Sequence, residues 1–235
     1  MVMSDPARRS LLGGVWETYH ADGSQAALRR VLGGIALRLR PYRRRFHEYL
    51  TDRYFGIDTA GIDKTHESDE SGVFAYEASA SRHFKHAMRS LGIDYSKFTL
   101  VDFGCGKGAA LIFAGKLGFR RILGVEVVAE FLDSAAKNIA RIECREPGLA
   151  ERIELVLGDA VALPLPDEPL VLYFFNPFSA ETMRAVISTA AKSLEEHPRA
   201  MFIVYLNARF AEVVEEPDGC SVIERRSKWA TFTMT

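Results

Sequence analysis

The stretch LVDFGCGKGAA, residues 100–110, decides how the rest of the chain is read. An apolar run reaches an acid at Asp102, glycine then stands at every second position (Gly104, Gly106, Gly108), and the small Ala109 and Ala110 are suited to open a helix. A residue without Cβ lets the backbone bend sharply and come close to a ligand. In an open, doubly wound α/β sheet, ligands settle beyond the carboxyl ends of the strands where the winding reverses, and the first strand–turn–helix is the usual place.

Downstream of this turn the chain repeats the same alternation. A helix over about 108–117 ends at Gly118, and RILGVE (121–126) is a strand. Val128, Phe131, Leu132, Ala135, Ile139 and Ile142 then recur at helical spacing. IELVLGDA (153–160) alternates like a strand, and LVLYFF (170–175) reads as a continuous buried one. Ser179 is placed to cap a helix carrying Met183, Val186, Ile187, Ala190 and Leu194, and AMFIVYL (200–206) is a further core strand. The tail from Cys220 has two β-like runs with no helix between them, which predicts an antiparallel hairpin.

Upstream, Ala80, Phe84, Ala87, Met88 and Leu91 define one face of a helix beginning at Tyr76 and stopped by Gly92. The acidic, aperiodic 58–74 reads as a loop or linker, and before it two helices are predicted over 26–40 and 42–54. The expected fold is therefore α/β: a Rossmann-like, doubly wound, mostly parallel sheet with a C-terminal antiparallel hairpin and an N-terminal helical extension. Residues 1–70 are assigned to the extension and linker, and 71–235 to the α/β domain.

Composition sets outer limits. At 235 residues the chain has room for one main core, and 48% hydrophobic with 26% charged residues is ordinary for a globular protein. No apolar run is long enough to span a bilayer, and an acid and a proline interrupt the N-terminal segment where a secretory signal would be apolar, so a cytoplasmic protein is expected. Cys105, Cys144 and Cys220 have no paired short spacing, which points away from a disulfide framework or a zinc site. His83 and His86 lie three apart on a predicted helix without a completing acid or cysteine, and His66 with Asp69 and Glu70 reads as a solvated loop, so no metal is expected. Neither a Ser-His-Asp signature nor a phosphate-binding G-K-[ST] motif is present, which leaves hydrolase and nucleotidase readings without support.

Residues 1–55 carry ten arginines against five acids, a local +5 in a chain of net −1. Three readings stand for this basic segment: a solvated helical face docked on the domain, an arm for RNA, DNA or an acidic protein, and an interfacial membrane helix. The first is the default.

Two ligands compete for the glycine turn. A dinucleotide site wants G-x-G-x-x-G/A, which Ala109 satisfies in relaxed form. The actual spacing is G-x-G-x-G, however, and the Asp102 carboxylate would repel a pyrophosphate while accepting hydrogen bonds from an ammonium group. Glu126, some twenty residues on at the end of the second strand, is where an acid would take both hydroxyls of a ribose. Asp159 could accept from an exocyclic amino group of adenine, with Ala160 leaving room for the ring, and FFNPFS (174–179) ends the fourth strand at the edge where chemistry is expected.

VDFGCGKG, GVE, GDA and FNPF, in this order on successive strand ends, resemble the class I S-adenosylmethionine-dependent methyltransferases over residues 76–235. The resemblance implies S-adenosylmethionine as cofactor, held by Asp102, Gly104, Cys105, Gly106, Gly108, Glu126, Val127, Asp159, Ala160 and Asn176. Cys105 is expected to be structural and not nucleophilic, and Lys107 to be solvated. The segment YEASASRHFKHAMRSLGIDYSKFTLVDFGCGKG is most similar to bacterial relatives of the non-SET lysine methyltransferases, the disruptor-of-telomeric-silencing type, in which a tyrosine-containing segment caps the cofactor. That likeness nominates Tyr76 and Glu77 and a protein lysine as methyl acceptor. NPFS departs from the pattern of amino-directed enzymes, Asn or Asp followed by two prolines and an aromatic, which weakens a nucleic-acid reading.

Methyl transfer from a sulfonium is an in-line displacement, so most of the catalysis is positioning. Asn176 is expected to orient the attacking atom, Tyr173 or Phe178 to wall an aromatic channel, and Glu77 to accept a proton. Because a strand alternates, at least half of Tyr173, Phe174, Phe175 and Phe178 should be buried simply as core. Methylation of a small molecule or RNA is the alternative activity, and a catalytically silent, cofactor-binding adaptor is the alternative outside enzymes.

Overall fold

A computed structural model describes residues 52–53, 56–59, 62–63, 76–77 and 81–235, without the side chains of 62, 63, 76, 77 and 81. All of these lie in one compact unit, Glu48–Thr235. The predicted basic helices fall outside the described residues, except that Asp52 and Arg53 are helical.

The first long element, α1 (Ser81–Ser90), buries Phe84, Ala87 and Met88, with Leu91 just beyond its end, and Gly92 stops it with φ 62°. It starts later than the sequence suggests. Tyr76–Glu77 is instead a short strand paired antiparallel with Ile62–Asp63, so the predicted linker contributes a strand of its own. The helical period upstream of Ser81 depended on Ala80 alone, and strand pairing satisfies the backbone groups there as well as a helix would.

Then come β1 (Thr99–Phe103), α2 (Ala109–Leu117), β2 (Arg121–Glu126), α3 (Ala129–Glu143), β3 (Ile153–Leu157), β4 (Leu170–Phe175), α4 (Ala180–Glu196), β5 (Met201–Leu206), the one-turn α5 (Ala211–Val214), β6 (Cys220–Arg226) and β7 (Trp229–Met234). The caps follow from the sequence. Gly118 closes α2 in the left-handed region, and the Ser179 hydroxyl accepts the Thr182 N–H at the start of α4. The α5 helix, too short to show a period, has no counterpart in the sequence reading.

The strands form one seven-stranded sheet in the order β3-β2-β1-β4-β5-β7-β6. β1 to β5 run parallel, and β7 joins antiparallel between β5 and β6, with a bulge at Val222/Glu224. From β1 the chain winds outward through β2 and β3, then returns to the other side of β1 as β4. The reversal therefore falls between β1 and β4, and the glycine turn stands at its mouth.

Strand alternation sorts the core into two layers. On one face Leu100, Ile122, Tyr173 and Val204 meet Phe84 and Met88 of α1, Leu111 and Ile112 of α2, and Ile139 and Ile142 of α3. On the other, Val101, Phe103, Leu172, Phe174, Ile203 and Tyr205 meet Met183, Val186 and Ile187 of α4. Burying a Leu, Ile, Met or Phe of this kind contributes about 1.5–3 kcal/mol. The site is thus carried on the edge of a rigid slab.

Candidate active site

The glycine turn is folded over the end of β2. Gly104 and Cys105 both donate their N–H to the Val125 carbonyl, at 2.9 and 3.0 Å, and Gly108 donates to the Cys105 carbonyl at 2.9 Å. Two of the three glycines are demanded by contact as well as by conformation. A Cβ on Gly104 (φ 75°) would lie 2.9 Å from Pro177 Cβ, and one on Gly108 (φ 83°) would lie 3.1 Å from Ala135 Cβ of α3. Any side chain at Gly104 would push apart the turn and the loop after β4. Cys105 is buried beneath the turn, and burial followed by the nearby Asp102 and Glu126 carboxylates drives its thiol well up, which suits a structural residue and not a nucleophile.

Two carboxyl groups face this turn. Asp102 is only 2% exposed. Burial, and next the charge of Glu126, push its carboxyl well above the ordinary carboxylate range. Glu126 is buried at the end of β2 and braces the turn: Oε2 accepts the Gly106 N–H at 2.9 Å, while Oε1 accepts Val127 and Val128 N–H at 2.9 and 3.0 Å. It therefore sits at the N-terminal end of α3, where a negative charge is favoured. These three bonds leave about one of its four lone-pair positions for a ligand.

The neighbouring strand ends continue the rim. Val127 is 55% exposed and Leu157 58%, an uncovered apolar pair at the ends of β2 and β3. The Asp159 carboxylate caps a short turn through the Val161 N–H at 2.9 Å, and Ala160 is buried behind it.

At the end of β4, Asn176 adopts φ 47°, one of two non-glycine residues among those described with positive φ. Asparagine tolerates this region better than most residues, and such conformations cluster at functional sites. Its Oδ1 accepts the Tyr205 hydroxyl at 3.2 Å. Tyr173 or Phe178 was expected to wall an aromatic channel, and the two lie on different faces of the sheet. Tyr173 is buried edge-on to Phe84 (centroids 5.1 Å apart), level with Asp102 on the α1 face, whereas Phe178 packs edge-on against Phe174 on the α4 face. Tyr76 and Glu77 are placed in their short strand, but their side chains lie outside the described atoms.

One component was missed from sequence. Lys107, expected to be solvated, is largely buried and faces the Asp58 carboxylate at 3.9 Å. Asn138, buried in α3, clamps Asp58 at both backbone atoms, accepting its N–H at 2.9 Å and donating to its carbonyl at 3.0 Å. It also donates to the Lys107 carbonyl inside the glycine turn at 3.0 Å. Thr59 in turn gives its N–H and hydroxyl to the buried Asp52 carboxylate, at 2.6 and 2.7 Å. A strap that includes residues 52–53 and 56–59 is thereby bound to the turn. Its sequence signal was a polar side chain, Asn138, within the apolar stripe of α3 beside Ala135, Ile139 and Ile142.

Among the described residues no group of three or more His, Cys, Asp or Glu is placed to hold a metal, and no helix is long and apolar enough to cross a membrane. A sequence family described as a methyltransferase domain matches residues 100–197. Ribosomal protein L11 methyltransferases are among the similar proteins: that of Vibrio parahaemolyticus is 25% identical over 149 residues (57% of this chain, 47% of the relative), and that of Serratia proteamaculans 38% over 143 residues (60% and 46%). The chain spans about half the length of the curated relatives it matches. Among solved structures, the ribosomal protein L11 methylase of Lactobacillus delbrueckii subsp. bulgaricus has a TM-score of 0.46 at 18% identity, covering 66% of this chain and 78% of that one.

The site fits an S-adenosylmethionine-like cofactor on its own terms. A buried carboxyl without a neutralising cation among the described residues, a turn with close contacts at Gly104 and Gly108, and an open apolar pair at the adjoining strand ends are complementary to a molecule with an ammonium, a sulfonium and an aromatic base. The strand order and the glycine turn agree with the match of residues 100–197 to a methyltransferase domain family.

Proposed function

We propose that this chain transfers a methyl group to a protein, with a lysine amine as the leading acceptor. The observation that carries the reading is Asp102, a carboxyl buried at the winding reversal with no cation recorded against it among the described residues. When bound, S-adenosylmethionine supplies an electrophilic methyl on a sulfonium. Asp102 accepts from the amino-acid ammonium, the backbone of Gly104 to Gly108 lies along the same end, and Glu126 offers its remaining oxygen capacity to a ribose hydroxyl. Val127 and Leu157 present apolar surface to the base, and Asp159 has an oxygen left for its amino group. Asn176 orients the acceptor at the end of β4. The likeness to the telomeric-silencing type assigns Tyr76 to capping the cofactor and Glu77 to taking the proton that a lysine ammonium must lose before it can attack.

A protein acceptor is supported by the relatives, which are named for a ribosomal protein. Calorimetric titration with S-adenosylmethionine, followed by transfer of labelled methyl to purified ribosomal protein L11 and to bacterial protein, RNA and metabolite fractions, tests the reading. Binding with label in protein is expected. Label confined to RNA or metabolites overturns the acceptor class, binding without any label leaves an adaptor, and failure to bind overturns the whole reading.

A further inference from the structure

We propose that Tyr205 sets the hydrogen-bonding polarity of the acceptor side of the site: its hydroxyl occupies Asn176 Oδ1, so that the Asn176 amide nitrogen is the atom that meets the methyl acceptor. The inference rests on the methyl-transfer reading and deepens it. Tyr205 is wholly buried in β5, one strand from Asn176, with its ring held edge-on by Phe174 at a centroid distance of 6.0 Å. Its hydroxyl lies 3.2 Å from Asn176 Oδ1. The backbone N–H groups of Arg209 and Phe210 bear on the same phenolic oxygen, and burial raises the phenol to about 12, so the hydroxyl keeps its proton. Asn176 Oδ1 is the acceptor recorded for that proton among the described residues, and this bond orients the amide.

Asn176 is itself held in the left-handed region, 9% exposed, and its amide nitrogen has no hydrogen-bond partner among the described residues and is not sealed from solvent. An attacking amine must keep its lone pair for the methyl carbon, and a donor aimed at that lone pair would block it. The Asn176 amide therefore engages an oxygen of the acceptor protein beside the reacting lysine, such as a neighbouring residue's carbonyl or carboxylate. Asn176 is a specificity-determining residue on this account, and Tyr205 a positioning residue.

Two substitutions test this. Tyr205→Phe keeps the ring and removes the hydroxyl; Asn176→Asp keeps an oxygen for Tyr205 and replaces the amide donor. Both are compared with the wild type by calorimetry with S-adenosylmethionine and by kcat/KM on the protein fraction that takes label. Each variant is expected to keep its cofactor Kd within about twofold while kcat/KM falls by about tenfold, the effect of one lost hydrogen bond. A readout independent of turnover is the 15N-resolved side-chain amide pair of Asn176, identified by its absence in Asn176→Asp, which should shift in Tyr205→Phe. Wild-type kcat/KM in either variant, or an unmoved amide pair, overturns the proposal even if the wild type binds and transfers. A wild type that neither binds nor transfers overturns the methyl-transfer reading, and this assignment with it.

Discussion

Asp102 is held by the fold in a place where its own ionisation is disfavoured, and a cationic ligand reverses that balance. The carboxyl is raised in the folded protein, so as pH rises from about 4, where an unfolded aspartate titrates, the unfolded state loses its proton first. The Asp102 contribution is thus fully present at lower pH and is lost as pH climbs to the raised folded value. Asn at this position should remove that slope in urea unfolding and leave the ligand-free protein at least as stable near neutrality. The same Asp102→Asn change should weaken S-adenosylmethionine binding by about 10- to 100-fold, the worth of a charge-assisted hydrogen bond. Because cation binding favours the ionised carboxyl, titrations of the wild type in buffers of different ionisation enthalpy should show proton release that the variant lacks. Gly104→Ala combines φ 75° with a 2.9 Å approach to Pro177, and should cost roughly 1–3 kcal/mol in denaturant unfolding and loosen cofactor binding. Asp102, Glu126 and the glycines were legible in sequence because their spacing and strand-end positions follow from local pattern. That Glu126 spends three acceptor positions on backbone N–H groups was not, since those partners are fixed only when β2 closes against the turn.

The elements that the sequence revealed are those whose hydrophobic period runs long enough to outweigh other signals. β1 to β5, α2 to α4 and the terminal hairpin were all legible on that basis, with Gly118 and Ser179 marking boundaries. The pair at 62–63 and 76–77 and the strap at 52–53 and 56–59 were not, because short segments held by tertiary hydrogen bonds have no period to show. Asn138 is the clearest test of the strap. Asn138→Ala leaves Asp58 N–H, Asp58 C=O and the Lys107 carbonyl without their buried partner, and should cost about 2–3 kcal/mol in urea unfolding. The strap should also become open to limited proteolysis at the same substitution. Tyr173 and Phe178, either of which was expected to wall a channel, are sent to different layers by the alternation of β4 and the turn after it.

For the molecule as a whole, folding and cofactor binding are coupled by mass action. At a cofactor concentration 100 times Kd the folded state gains about 2.7 kcal/mol, which for a chain of this size should raise Tm by roughly 5–10 °C in differential scanning fluorimetry. Asp102→Asn should abolish most of that rise at the same concentration. Beyond the site, the antiparallel tail gives the slab an outermost strand, β6, in which Val222 and Ile223 are each 40% exposed. An uncovered strand border of this sort is a template for sticking to other chains. The Val222/Glu224 bulge breaks its regular ladder, and Arg225 and Arg226, paired with Glu215 and Glu224, place charge along it. Solubility at high concentration therefore depends on an irregularity and two guanidinium groups far from any chemistry, and neutralising both should turn this margin into a self-association surface visible by light scattering.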